Sequence, residues 1–341
     1  MPPKTAVLLI QLGTPDSPSV GDVARYLGEF LNDRRVIDIP WLFRRLLVNG
    51  IIVPFRSPKS AKIYRTLWDM SGGKSPLLTH SLKVKSLLAQ RFSGEGVTIE
   101  MAMRYQKPSL TETLEKLREA QYEKIILVPL FPQYASASTG SALEKALTTI
   151  GSWWVMPEIA TVNQFYDHPA FIDAVVAQAA PYRLEEYDHI LFSYHGLPER
   201  QVDKVYPGDD LCQDAACESE LTERNHSCYK ATCYATSRLL AQRLGLSSDR
   251  YTTTFQSRLS KKWIRPFTDE VITEKAEKGA KKLLVFSPAF VSDCLETLVE
   301  IGIEYQDHFA AKGGEKVQLV PSSNDHPRFI DCLEDLIRKR L

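Results

Sequence analysis

The chain has 341 residues, more than one hydrophobic core usually supports, since single cores stop growing near about 250–300 residues and longer chains divide. Lys plus Arg and Asp plus Glu balance at 42 each, so no overall basic field exists to gather nucleic acid or an acidic membrane. A hydrophobic content of 44% and a charged content of 25% exclude a disordered or fibrous chain and leave a two-lobed protein that handles a small molecule.

The first element is the apolar run in MPPKTAVLLIQLGTP. It is too short for a signal sequence, and no later run approaches the roughly 18 apolar residues of a membrane span, so a cytoplasmic location is expected. Residues 28–56 follow, mixing apolar and aromatic side chains with the pairs Arg34/Arg35 and Arg44/Arg45. This segment reads as a lip over a flat apolar ligand whose carboxylates the arginines hold. It also reads as a peripheral contact with a membrane surface, or as an ordinary amphipathic helix with solvated arginines.

Seven short apolar runs alternate with helical patterns: TAVLLIQ, VTIEMAM, EKIILVPLF, HILFSY, YTTTFQ, KKLLVFSP and KVQLVP. The alternation predicts an α/β fold with a parallel sheet in each lobe, covered by helices on both faces. Ser109 and Glu112, just after Pro108, form an S-x-x-E capping box that starts one of those helices. The chain also repeats itself. Residues 101–132 can be laid on 254–290, matching Arg104 with Arg258 and Lys124 with Lys282, and TAVLLIQLGTP resembles HILFSYHGLPE. Two similar Rossmann-like, doubly wound lobes are therefore expected to face each other across a cleft, because such sheets bind ligands beyond the carboxyl ends of their strands. The expected lobes are 1–160 and 161–325, divided between a strand carrying Trp153 and Trp154 and a helix beginning at His168-Pro169. The last helix, 326–341, is expected to pack back on the first lobe.

His195 in SYHGLPER follows an apolar strand and precedes Gly196, a place where histidine serves as proton acceptor, metal ligand, or simply the partner of a loop carbonyl. In FVSDCLETLVEIGIEY, the carboxylates Asp293, Glu296, Glu300 and Glu304 are spaced i, i+3, i+7 and i+11, one face of an α-helix. Crowded like charges invite a divalent cation. The same spacing also permits an Asp293/Glu296 capping box with solvated glutamates beyond it.

These motifs resemble those of ferrochelatases along nearly the whole chain. SYHGLPER is similar to the family's histidine motif and FVSDCLETLVEIGIEY to its acidic helix, and MRYQKPSLTETL, LFPQYASASTGSAL, TFQSRLSKKWIRPFTDE and SGGKSPL match further signatures in order. The resemblance implies a chelatase-like fold with a porphyrin cleft. It implies a lyase that inserts ferrous iron, its substrate metal, into protoporphyrin IX and releases two protons in the terminal step of haem biosynthesis. His195 and Glu296 would be the catalytic, iron-handling pair, with Asp293 and Glu300 along an iron path. Leu12, Arg34, Arg35, Arg104, Tyr105 and Trp263 would contact the porphyrin. Cys294 departs from those relatives that carry histidine there. A chelatase for coproporphyrin or another metal, and a non-enzymatic haem or metal carrier, are the rival readings.

Cys212, Cys217, Cys228 and Cys233 crowd a polar insertion, residues 208–233. Four thiolates close a zinc site or hold a [2Fe-2S] cluster, or they stay free. Zinc sites favour two-residue gaps, and some bacterial ferrochelatases carry a [2Fe-2S] centre on an internal cysteine segment, which makes the cluster the expectation. Cys332 reads as core.

Overall fold

The computed structural model describes residues 4–206 and 216–341. They divide into two compact units. Of the described residues, the first comprises those within 1–131, 135–163 and 333–341, and the second those within 132–134 and 164–332.

The first unit holds strands β1 (Thr5–Gly13), β2 (Val97–Tyr105), β3 (Lys124–Pro129) and β4 (Glu158–Thr161) in the order β2-β1-β3-β4, all parallel. Ala6 to Ile10 and Ile125 to Val128 are inaccessible to solvent, as expected of parallel strands that carry helices on both faces. Ala6, Leu8 and Ile10 pack with Leu110 and Leu114 of the helix Leu110–Glu119 and with Ala142, Ala146 and Ile150 of the helix Ser141–Ile150. Each large aliphatic side chain buried in this way contributes about 1.5–3 kcal/mol. Ser109 starts the first of these helices as expected, its hydroxyl accepting the Glu112 amide at 3.4 Å.

The second unit repeats the arrangement with β5 (His189–His195), β6 (Tyr251–Gln256), β7 (Lys282–Phe286) and β8 (Lys316–Leu319), in the order β6-β5-β7-β8 and again parallel. Leu191, Leu283 and Val285 pack against Ile272, Ile301 and Phe309. In both sheets the chain leaves the first strand toward one side and returns to the other. The carboxyl ends of β1 and β5 therefore lie at the topological switch points, where open α/β sheets take their ligands. All seven apolar runs are strands, and Lys124 and Lys282 each open the third strand of their sheet.

The internal repeat is closer than the sequence showed. Leu12-Gly13 ends β1 as His195-Gly196 ends β5. A Cβ on Gly13 would lie 2.2 Å from the Tyr105 carbonyl oxygen, and one on Gly196 2.8 Å from the Gln256 carbonyl oxygen and 3.1 Å from the Trp263 ring. Glycine is required at both places because the neighbouring strand comes so near. Beyond each second strand runs a cis proline turn, Lys107-Pro108 and Arg265-Pro266. The amides of Met103 and Phe255 donate to the carbonyls of Pro108 and Pro266 at 2.7 and 2.8 Å.

These bonds revise the register expected from sequence. Met103 corresponds to Phe255, so Arg104 corresponds to Gln256 and not to Arg258. A second correction concerns Trp153 and Trp154, which lie in a turn before β4 rather than in a strand. Trp153 is buried with its indole N–H on Glu115 at 3.0 Å, whereas Trp154 is fully exposed. A third concerns the acidic segment: Leu295–Tyr305 is an 11-residue π-helix. Its i→i+5 bonding is rare at this length and recurs at functional sites. It begins at Cys294, which with Thr297 forms the capping box expected of Asp293 and Glu296.

Candidate active site

In the second unit the pairing of β5 with β6 sets His195 beside Gln256. The His195 ring lies half-buried against Trp263 and Phe290, at centroid distances of 6.4 and 6.3 Å. Its Nδ1 is 2.7 Å from the Gly196 carbonyl oxygen. A carbonyl only accepts, so Nδ1 is the donor of this bond, and in the neutral tautomer that fits it Nε2 is the acceptor nitrogen. The His195 carbonyl accepts the Tyr229 hydroxyl at 2.9 Å, which holds the strand end in place.

Gln256 joins this strand end to the acidic helix. Its buried amide accepts from the Ser193 hydroxyl at 2.7 Å and donates to the Glu296 backbone carbonyl at 2.9 Å and the Glu300 carboxylate at 3.0 Å. His195 and the first turn bearing Glu296 are thus tied to one residue, the strand end through its backbone and the turn through its side-chain amide. Glu296 itself is half-buried beside the Cys294 thiol. Burial pushes that thiol well up, and the Glu296 charge and hydrogen bond push it further. Cys294 therefore stays protonated and donates to the Glu296 carboxylate.

The four carboxylates of the acidic segment have unlike surroundings. Asp293 is buried and accepts from the Ser322 amide at 3.0 Å and the Asn324 side chain at 2.7 Å. Glu300 accepts from Gln256, from the Ser257 amide at 2.8 Å and hydroxyl at 2.6 Å, and from Tyr305 at 3.0 Å. Glu304 is exposed. Asp293 and Glu300 are thus saturated anchors of the π-helix and its flanking turns, which leaves Glu296 with the fewest fixed partners of the three buried or half-buried carboxylates.

The first unit carries a corresponding polar knot. Asp33 accepts from Arg104 at 2.6 Å, Tyr105 at 2.9 Å, Ser141 at 2.5 Å and the Arg35 amide at 2.7 Å. Burial acts to raise the Asp33 carboxyl, but the hydrogen bonds from Ser141 and Arg35, with the Arg104 charge, prevail and hold it below its usual value. Tyr105 is inaccessible to solvent, and its phenol is pushed up by that burial. The guanidinium groups of Arg34 and Arg35 both engage Glu144, and Arg35 also reaches Ser136 at 2.9 Å. Leu12 is half-buried at the end of β1, against the cluster that includes Tyr105. Asp33, Glu144, Gln256 and Tyr305 escaped sequence reasoning because nothing local marks them; a buried polar residue shows itself only through its distant partners.

The family model of ferrochelatase matches residues 4–341. A ferrochelatase of Legionella pneumophila (strain Corby) is 43% identical over 339 residues, 99% of this chain and the whole of that protein. One from Coxiella burnetii (strain Dugway 5J108-111) is 42% identical over 346 residues, covering 99% of this chain and 94% of the relative. The chain belongs to the ferrochelatase family. It is accordingly a porphyrin metal chelatase, a lyase. The fold agrees. SirB from Bacillus subtilis with Fe3+ matches at a TM-score of 0.55 and 12% identity over 98% of this chain and 95% of that one. The sirohydrochlorin chelatase SirB from Bacillus subtilis subspecies spizizenii, in complex with cobalt, matches at 0.52 and 11% over 98% and 94%.

Of the four clustered cysteines, Cys212 lies outside the described residues, while Cys217, Cys228 and Cys233 are buried in the second unit. Among the described residues no three His, Cys, Asp or Glu side chains are gathered as a metal site. The three sulfurs nonetheless suit iron by their softness, and Cys233 feels both Cys228 and the Tyr229 hydroxyl. Cys332 is buried, as expected.

The Asp33 knot generates a pH prediction. Folding lowers this carboxyl below its ordinary 3.8, so its ionised form contributes stability above that pH, lost as the pH falls through the folded value. Urea unfolding of the wild type from pH 6 to pH 3 is expected to show a steeper acid loss than Asp33→Asn. Equal slopes would remove Asp33 from the acid response.

Proposed function

We propose that the protein inserts ferrous iron into protoporphyrin IX, forming protohaem as two pyrrole protons leave. The observation that carries the roles is the Gln256 amide, which ties the His195 strand end to the Glu296 turn. His195 takes up pyrrole protons at Nε2, the nitrogen its Gly196 bond leaves free. Glu296 offers its carboxylate to the arriving cation. The iron path runs past Asp293 and Glu300. Both carboxylates are already saturated, and the buried hydroxyls of Ser287, Ser322 and Ser323, which have no hydrogen-bond partner among the described residues, supply further oxygens along it.

Leu12, Arg104, Tyr105 and Trp263 are assigned to the porphyrin walls. Arg104 and the inaccessible Tyr105 act by shaping the wall through Asp33. Arg34 and Arg35 are assigned to the propionates, which must compete with Glu144 for them. Proteins that accept coproporphyrin meet two more carboxylates, so assays with both porphyrins decide the substrate.

Cys212, Cys217, Cys228 and Cys233 are assigned to a [2Fe-2S] cluster, supported by three buried soft thiols on one segment. The protein is assigned to the cytoplasm, with peripheral contact at the inner face of the membrane. No helix among the described residues is long and apolar enough to cross a membrane. Support for the surface contact comes from the segment 41–55, where Trp41 is 62%, Phe43 65%, Leu46 63% and Phe55 81% exposed, while Arg44 is buried on the carbonyls of Ile37 and Ile39. Apolar side chains rimmed by Arg45 and Arg56 suit a headgroup boundary.

With purified protein, ferrous iron and protoporphyrin, His195→Ala and Glu296→Ala are each expected to slow haem formation by about 100-fold or more; normal rates in both variants would sink the assignment. Anaerobic purification is expected to yield a coloured protein with about two iron and two sulfide per chain, colour that Cys233→Ser loses and Cys332→Ser keeps. A colourless protein with one zinc overturns the cluster. Co-sedimentation with anionic vesicles is expected for the wild type and reduced in the Phe43→Ser/Leu46→Ser double variant, and a wild type that stays in the supernatant ends the membrane assignment.

A further inference from the structure

The second unit has a cleft of about 570 Å³ that the chelatase chemistry does not use. Its floor is Tyr251 to Thr253 at the start of β6, the edge strand of the sheet. Along a strand the rise is about 3.3 Å per residue, so this floor begins roughly 16 Å from Gln256 and lies at the opposite end of the sheet from His195.

One wall is a face of the helix Tyr229–Leu244. Lys230, Tyr234 and Arg238 are spaced i, i+4 and i+8, so all three point to the same side. Arg265, from the turn after β6, closes the other wall. Among the described residues that line the cleft, three cations from two segments therefore meet a single carboxylate, Glu218, at the rim. That carboxylate satisfies little of the charge. It is 69% exposed and 3.7 Å from Lys230, a long pair that water screens. Arg238 donates at 2.7 Å to the Glu218 backbone carbonyl and has no carboxylate partner among the described residues. Arg265 holds Glu270 at 3.0 Å, but that carboxylate is shared with Arg258 at 3.2 Å.

We propose that this cleft binds a small polyanion carrying at least two phosphate or carboxylate groups. Arginine and lysine on facing walls bind such groups by charge-assisted hydrogen bonds. The volume falls within the roughly 300–1,000 Å³ of ordinary ligand clefts, and two separated anionic groups are needed to reach Arg238 and Arg265 together. The half-buried Tyr234 ring, packed edge-on against Phe255 at 6.2 Å, forms an apolar patch between them. Glu218, Lys230 and Tyr234 adjoin Cys217, Tyr229 and Cys233 in the chain, so an anion seated here also braces the cysteine segment.

Calorimetric titration of the full-length protein with pyrophosphate and, separately, citrate tests the site. Binding of at least one is expected with a Kd below about 1 mM, weakening at least threefold between 50 and 300 mM salt. Whichever probe binds identifies the phosphate or the carboxylate source. Arg238→Gln and, from the other wall, Arg265→Gln should each weaken that binding about tenfold, with the thermal midpoint and the iron-insertion rate unchanged. Failure of both anions to bind, or full affinity in both variants, overturns the proposal.

Discussion

The side-chain amide of Gln256, sealed from water, serves three partners at once: the Ser193 hydroxyl, the Glu296 carbonyl and the Glu300 carboxylate. An amide so placed has little freedom, because each unmade bond would leave a buried polar group unsatisfied at a cost of about 1–3 kcal/mol. Its backbone is meanwhile registered to His195. The parallel ladder sets where the histidine stands, and the amide sets where the π-helix starts. The end of β5 and the start of the π-helix are held at fixed places by that one linkage.

The first unit solves the same packing problem with the opposite polarity. Where Gln256 reaches Glu300 in the π-helix after β7, Arg104 reaches Ser141, the first residue after the π-turn Ser136–Gly140 that follows β3. Asp33 completes the knot from outside the repeat. Two copies of one strand-turn-strand plan have thus diverged at two corresponding positions, Leu12 against His195 and Arg104 against Gln256. One copy is left with an apolar strand end and a buried ion pair, the other with a titratable ring and a neutral amide.

Two of the carboxylates expected along an iron route, Asp293 and Glu300, spend their lone pairs on backbone amides, hydroxyls and side-chain amides. Such bonds rigidify the π-helix against the sheet. They also separate those two residues from Glu296, whose thiol neighbour Cys294 is held protonated by burial and by the Glu296 charge itself.

The alternation of apolar runs determined the α/β class and all seven of the strands it named, because parallel strands buried on both faces must be continuously apolar. The short β4, with its half-buried and exposed residues, carries no such pattern. His195 and Gly196 stood out in the sequence for the same local reason, a motif at the end of an apolar run, and the acidic segment by the spacing of its carboxylates. The pairing register was not. Shifting Arg104 from Arg258 to Gln256 needed the bonds of Met103 and Phe255 to their distant prolines. The π-geometry of Leu295–Tyr305 was equally hidden, since a four-residue spacing of glutamates fits an α-helix and only tertiary anchors such as Gln256, Ser257 and Asn324 impose the wider turn. Sequence periodicity reports which residues avoid water. Which buried polar groups satisfy one another is decided by residues tens to hundreds of positions apart, and only the folded chain brings them together.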